Sequence, residues 1–302
     1  MRYIKAITVL FLCVALFTAC GVSNRPEVSP GGSEITFRIV TSFYPMYVFT
    51  LNLTRDIKGV QVTNMTEPQT GCLHDYELSP ADMKTLEKAD IFIINGAGME
   101  AFIGDIKNSY PNLPIVEAAK DIPLITDEST GVANPHVWVS ISNAVIEVKN
   151  IGQALATSDL NHADQYKANM DTYVSELETE RTKMHDALKD IADRDIVTFH
   201  EAFPYFAREF GLNIVSVIER EPGTEPSAGE LARTIDTIKT LKVKAIFAEP
   251  QYSPKAADTI ATETGVKVYS LDPFVTGPKD ASPDSYIKVM DQNLNTLKEA
   301  LM

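Results

Sequence analysis

From Ile35 onward, short runs of β-branched and aromatic residues alternate with longer stretches of helical period. This is the pattern of a parallel sheet covered by helices. The runs predict strands at Ile35 to Val40, Val60 to Met65, Ile91 to Asn95 and Pro114 to Val116 in the first half. In the second half they predict strands at Ile196 to Phe199, Ile214 to Ile218, Ala245 to Ala248 and Val266 to Leu271. Helix starts carry chemical marks: Ser79-Pro80 and Ser253-Pro254 place a capping hydroxyl before a proline, and Ser227 with Glu230 fits a capping box. Gly211 and Gly265 suit helix ends.

Between the halves, Ala163 to Ala192 holds no Gly or Pro and predicts up to ~45 Å of helix. Its apolar positions, Tyr166, Met170, Tyr173, Leu177, Met184, Leu188 and Ile191, recur every three, four or seven residues, so one face packs along its length. The predicted fold is therefore α/β, with two lobes, each a mainly parallel sheet flanked by helices, joined by a long rigid linking helix. No internal repeat is convincing at the level of residues.

The N-terminus follows a different pattern. Arg2 and Lys5 precede an apolar stretch from Ala6 to Phe17, too short to span a bilayer, which takes about 20 apolar residues. It ends in Leu16-Phe-Thr-Ala-Cys20, which resembles a bacterial lipobox, so Cys20 is expected to be the lipidated first residue of the mature protein. The Pro, Gly and Ser content of Gly21 to Ser33 reads as a flexible tether. The expected organisation is a signal peptide at 1–19, a tether at 20–33, a first lobe at 34–162, the linking helix at 163–192 and a second lobe at 193–302.

Composition narrows the function. The chain has 302 residues, 44% hydrophobic and 23% charged, with a formal net charge of -14. That acidity argues against nucleic acid as a partner, which needs a basic face. Three cysteines make no disulfide framework.

Three of the five histidines fall after predicted strands or in connecting loops, where open α/β sheets present ligands. His74 lies in the loop after the second strand, His136 lies in a loop before a helix, and His200 ends a strand, as Asp272 does. Three imidazoles and one carboxylate suit a borderline divalent metal. His162 and His185, on the long helix, read as solvated, and Cys72 reads as a lone loop cysteine in preference to a soft fourth ligand. Glu249, at a strand end, fits equally an acceptor fixing an imidazole tautomer or a helix-cap residue, and Trp138 reads as packing beside the metal loop.

Five ordered segments carry a family resemblance: Gly71-Cys-Leu-His-Asp-Tyr-Glu-Leu-Ser-Pro80, Asn134-Pro-His-Val-Trp138, Thr198-Phe-His-Glu-Ala-Phe-Pro-Tyr-Phe-Ala-Arg-Glu-Phe-Gly-Leu212, Ile246-Phe-Ala-Glu-Pro-Gln-Tyr-Ser253 and Tyr269-Ser-Leu-Asp-Pro273. With the lipobox, they resemble the zinc and manganese substrate-binding lipoproteins of bacterial ABC importers. The resemblance implies a metal held between the lobes by His74 and His136 from the first and His200 and Asp272 from the second. It implies delivery of that ion to a membrane permease driven by an ATPase, by a monomer lipid-anchored on the extracytoplasmic face of the cell membrane. Histidine at the third ligand position favours Zn2+ over Mn2+, although Lys120 to Asn134 lacks the histidine-rich insert that zinc members often carry. A secreted zinc hydrolase, with Glu201 or Glu249 activating water, is the alternative. It is opposed by the fourth protein ligand and by the absence of an H-E-x-x-H motif. No repeat or low-complexity segment supports an adhesin.

Overall fold

The computed structural model describes residues 34–68, 70–127, 131–218, 226–251 and 255–302. The expected signal peptide, Cys20, the tether and the Ser253-Pro254 cap lie outside the described residues. The first lobe runs β1 (Phe37–Thr41), α1 (Tyr44–Leu53), β2 (Val60–Asn64), α2 (Pro80–Leu86), β3 (Ile91–Ile94), α3 (Ile103–Ser109), β4 (Ile115–Glu117) and α4 (Ile141–Ser158). The long helix α5 (Ala163–Leu188) leads to β5 (Asp195–Thr198), α6 (Pro204–Phe210), β6 (Asn213–Val217), α7 (Ala228–Leu241), β7 (Ala245–Ala248), α8 (Lys255–Thr264), β8 (Lys267–Ser270) and α9 (Ser285–Leu301). Every predicted strand is present, displaced by no more than a residue or two at its ends.

Among the described residues the strands form two four-stranded parallel sheets, ordered β2-β1-β3-β4 and β6-β5-β7-β8. The two orders are the same topology written twice. A repeat absent from the residues is thus present in the fold, because a buried parallel strand requires an apolar run and not particular side chains. In each sheet the chain order reverses between the two central strands, and open α/β sheets leave a crevice beyond the carboxyl ends of such strands. In the second lobe that crevice lies beside β5 and β7, whose ends lead directly to His200 and Glu249.

Local chemistry accounts for the helix limits. Ser79 and Ser227 cap α2 and α7 in reciprocal boxes with Asp82 and Glu230, satisfying amides that have no partner within the helix. Gly211 ends α6 at φ 66°, a left-handed conformation that a side chain would strain. Helix α5 buries Tyr166, Tyr173, Leu177, Met184 and Leu188, as the spacing predicts. It stops at Leu188, short of Ala192, where Nη2 of Arg194 folds back to donate to the Lys189 carbonyl at 3.0 Å. Its close approach to α4 depends on Gly152, since a Cβ there would come within 2.7 Å of Met170 Sδ.

Helix α5 packs on α4, α1 and α9, so the last helix of the chain closes over the first lobe. Asn52 Nδ2 of α1 donates to the Pro283 carbonyl at 2.7 Å, and the Tyr286 hydroxyl of α9 donates to the Trp138 carbonyl at 2.7 Å. One continuous apolar core therefore draws side chains from both sheets and from the helices between them. Of the two histidines expected to be solvated, His185 is exposed, whereas His162 needs correction. His162 Nδ1 lies 2.6 Å from Oδ2 of buried Asp159, which also accepts the Tyr166 hydroxyl, so the ring helps tie the α4–α5 turn. His185 is more exposed and lies 3.3 Å from Glu209.

Candidate metal centre

The fold brings His74, His136 and His200 together, although 62 or more positions separate each from the next in sequence. One ring nitrogen from each, together with Sγ of Cys72, forms a group whose atoms all lie within 4.8 Å of one another. The ring centroids are 5.2 Å apart for His74 and His136, 5.1 Å for His136 and His200, and 6.3 Å for His74 and His200. His136 and His200 are 2% and 3% exposed, so these nitrogens converge in a largely dry place.

Each donor is held by its own element. The loop after β2 is pinned by fully buried Leu73, whose N–H points to Met99 Sδ at 3.4 Å, and this fixes Cys72 and His74 on either side of it. The His136 loop hangs from Asn95, at the end of β3, whose amide donates to the Pro135 carbonyl at 3.0 Å. Asn95 is itself set by Glu100, whose carboxylate accepts the backbone N–H groups of Asn95 and Gly96 and the Ser42 hydroxyl. His200 follows β5, and its backbone N–H donates to Glu249 Oε1 at 3.2 Å. Gln251 Nε2 donates to the other Glu249 oxygen at 2.7 Å, so the contacts seen for Glu249 steady the His200 backbone.

Asp272 sits after β8, and Asn293 of α9 grips its backbone at both ends, accepting its N–H at 2.9 Å and donating to its carbonyl at 2.8 Å. Its Oδ1 accepts the Phe274 N–H at 2.8 Å. The carboxylate is not among the donor atoms that lie within 4.8 Å of one another, whereas the Cys72 thiol is. The thiol, expected to stand alone in a loop, is 3.4 Å from Nε2 of His136.

Asn134 was not singled out by spacing, yet it organises the centre. Its Oδ1 accepts the His136 backbone N–H and lies 3.1 Å from His136 Nδ1, while its Nδ2 donates to the Glu201 carbonyl at 2.7 Å. Trp138 does pack beside this loop as expected, fully buried with its ring 5.4 Å from that of His136. It also crosses to the second lobe, donating Nε1–H to the Pro273 carbonyl at 2.8 Å. The signal for both was the run Asn134-Pro-His-Val-Trp138, in which the residues flanking the histidine do as much as the histidine.

The electrostatics favour a cation. Burial, then the neighbouring rings of His200 and His74, push the His136 imidazole well below its ordinary range, so it is neutral and keeps a lone pair to donate. Burial raises the Cys72 thiol, with the Glu249 charge adding to it. Glu249 is itself pushed up to about 8 by burial and, against the His200 N–H, by Asp272. A divalent ion would reverse these penalties by supplying the missing positive charge. Nitrogen and sulfur donors in this number fit zinc chemistry.

The profile of the family described as "ZnuA: Zinc-uptake complex component A periplasmic" matches residues 39–300. The high-affinity zinc uptake system protein ZnuA of Bacillus subtilis is 31% identical over 97% of this chain and 96% of its own length. The zinc-binding protein AdcA of Streptococcus pyogenes is 30% identical over 97% of this chain, which spans 61% of that longer protein. Among solved structures, the substrate-binding protein FpvC of Pseudomonas aeruginosa in complex with Mn2+ superposes with a TM-score of 0.78 at 32% identity, covering 88% of this chain and 98% of that one. The family profile extends across both sheets, the linking helix and every donor residue, and by that extent the chain belongs to the ZnuA family of zinc-uptake complex components.

Proposed function

We propose that this protein captures zinc outside the cytoplasmic membrane and hands it to an ABC permease driven by an ATPase. His74 and His136 from the first lobe (34–162) and His200 from the second (193–302) bind the ion as neutral imidazoles, with 163–192 as the strut between the lobes. Asp272 supplies a carboxylate from the second lobe. The observation that carries this reading is the convergence of three histidine nitrogens, from loops far apart in sequence, to within 4.8 Å. Cys20 anchors the mature chain by lipid, and the protein acts as a monomer without catalysing a reaction. Against hydrolysis, both Glu249 oxygens are engaged, one by the His200 N–H and one by Gln251, which leaves that carboxylate poorly placed to activate a water.

Manganese is the second reading for the cargo, favoured by the Mn2+ complex of the similar Pseudomonas protein. Nitrogen-rich donors bind zinc more tightly than manganese in the general order of divalent metals. Elemental analysis of the purified protein, followed by competition of Zn2+ and Mn2+ for the site, decides between them. Zinc is expected to displace manganese, and His200→Ala is expected to abolish tight binding of both. Growth with labelled fatty acid is expected to label the wild type and leave Cys20→Ala unlabelled.

A further inference from the structure

The thiol of Cys72 has no part in the ligand set carried by the three histidines and Asp272, yet its placement is that of a ligand. Its sulfur is 3.4 Å from His136 Nε2 and belongs to the same compact group of donor atoms as the three imidazoles. Adjacent ligands of a tetrahedral zinc ion, with bonds of about 2.0 to 2.3 Å, stand roughly 3.5 Å apart. The sulfur and the nitrogen therefore already have the spacing of neighbours in a shell. Buried Leu73 holds the intervening position, and the Cys72 sulfur and a His74 ring nitrogen lie within 4.8 Å of each other, so the loop presents both donors together.

We propose that Cys72 is a direct ligand of the bound ion, completing a shell of one thiolate and three imidazoles and biasing the centre toward thiophilic divalent metals such as zinc over oxygen-seeking ones such as manganese. This rests on the metal-binding reading above and deepens it. As the sulfur–metal bond forms, the S–H proton leaves to solvent, and the charge of the cation replaces the proton that burial otherwise retains. Soft sulfur donors select zinc, whereas carboxylate and water suit manganese. Asp272, outside the compact group, then adds negative charge from the second lobe without being needed for the fourth bond.

Cobalt(II) distinguishes the outcomes, because its visible ligand-field bands report a bound ion and a near-ultraviolet sulfur-to-cobalt charge-transfer band reports a thiolate ligand. Wild-type protein loaded with Co2+ under reducing conditions is expected to show both sets of bands. Cys72→Ser is expected to keep the visible bands, lose the charge-transfer band, and lower the preference for Zn2+ over Mn2+ by at least the ~10-fold typical of a lost supporting contact. Because Cys13 leaves with the expected signal peptide and the Cys20 sulfur carries the expected lipid, Cys72 is the thiol left in the mature chain, and the loss identifies it. Visible bands without a charge-transfer band in the wild type would overturn the proposal while leaving metal binding intact. No visible bands at saturating Co2+ would overturn the metal reading itself and the proposal with it. The wild-type spectrum decides even if the variant folds poorly.

Discussion

Oδ1 of Asn134 lies 3.1 Å from Nδ1 of His136 and accepts that residue's backbone N–H at 3.0 Å. A backbone N–H can only donate, and the other end of the amide donates to the Glu201 carbonyl at 2.7 Å, so the amide orientation is settled by its partners. An oxygen that can only accept requires the proton on Nδ1, which leaves the Nε2 lone pair to the ion. The same side chain reaches from the first-lobe ligand loop to the residue after His200. Asn134→Ala is expected to lower zinc affinity by about 10-fold to 100-fold. Asn134→Asp, which keeps the acceptor and loses the donor, is expected to fall between. Competition with a chromophoric chelator measures both, and wild-type affinity in the alanine variant would assign the tautomer to another group.

An ion held by the proposed ligands would join loops from both lobes and so stabilise the whole molecule. A single ion at 1,000 times Kd adds about 4 kcal/mol to unfolding. Calorimetry is expected to show a higher Tm with zinc and its reversal by chelator. A Tm indifferent to both would argue against ligands drawn from two lobes.

Removing Asp272 tests the charge contributed by the second lobe. Its alanine variant is expected to lose affinity on the order of 100-fold, since even partners behind the ligands cost 10-fold to 100-fold. His162→Ala, which breaks a contact to Asp159 at the α4–α5 turn, is expected to leave affinity unchanged and to cost stability alone, about 1 kcal/mol. Equal affinities for the two variants would remove Asp272 from the site.

The Tyr286 hydroxyl of α9 donates to the Trp138 carbonyl beside the ligand loop, a hydrogen bond between fully buried partners. Tyr286→Phe leaves that carbonyl without its donor and is expected to cost about 1 to 3 kcal/mol. Chemical denaturation of the metal-free protein measures it. Retention of wild-type stability would mean that α9 and the loop are joined by packing alone.

Glu100, behind the His136 loop, is raised from its ordinary 4.5 to about 7 by burial, against the N–H and O–H donors of Asn95, Ser42, Gly96 and its own backbone that lower it. Between those values the folded form holds a proton that the unfolded chain releases, so this group's contribution to stability falls as pH rises and levels off above about 7. The slope reaches about 1.4 kcal/mol per pH unit at most. Glu100→Gln cannot ionise, so the stability difference between wild type and variant, both metal-free, is expected to change across that window. A difference independent of pH would show that the carboxylate titrates in its ordinary range.

The strands, the long helix and its buried face were legible in the sequence because burial inside a parallel sheet demands continuous apolar runs and helix packing demands a repeating apolar face. Both constraints act over neighbouring residues. The three histidines were legible for a related reason: chain ends of strands are where such sheets expose ligands. Which groups meet there was decided by tertiary structure alone. Nothing in the spacing of Cys72 from His136 tells that the loop after β2 folds its thiol to 3.4 Å from the ring. Nothing in the spacing of Asn134 from Glu201 tells that one amide spans the two ligand loops. The doubled sheet topology was also hidden, since two sheets of the same order can be built from unrelated apolar residues. Side-chain convergence depends on where whole loops are anchored, by Leu73 on Met99, by Asn95 on Pro135 and by Asn293 on Asp272. Such anchors are contacts between distant segments, and the chain specifies them only once both lobes have folded around a common core.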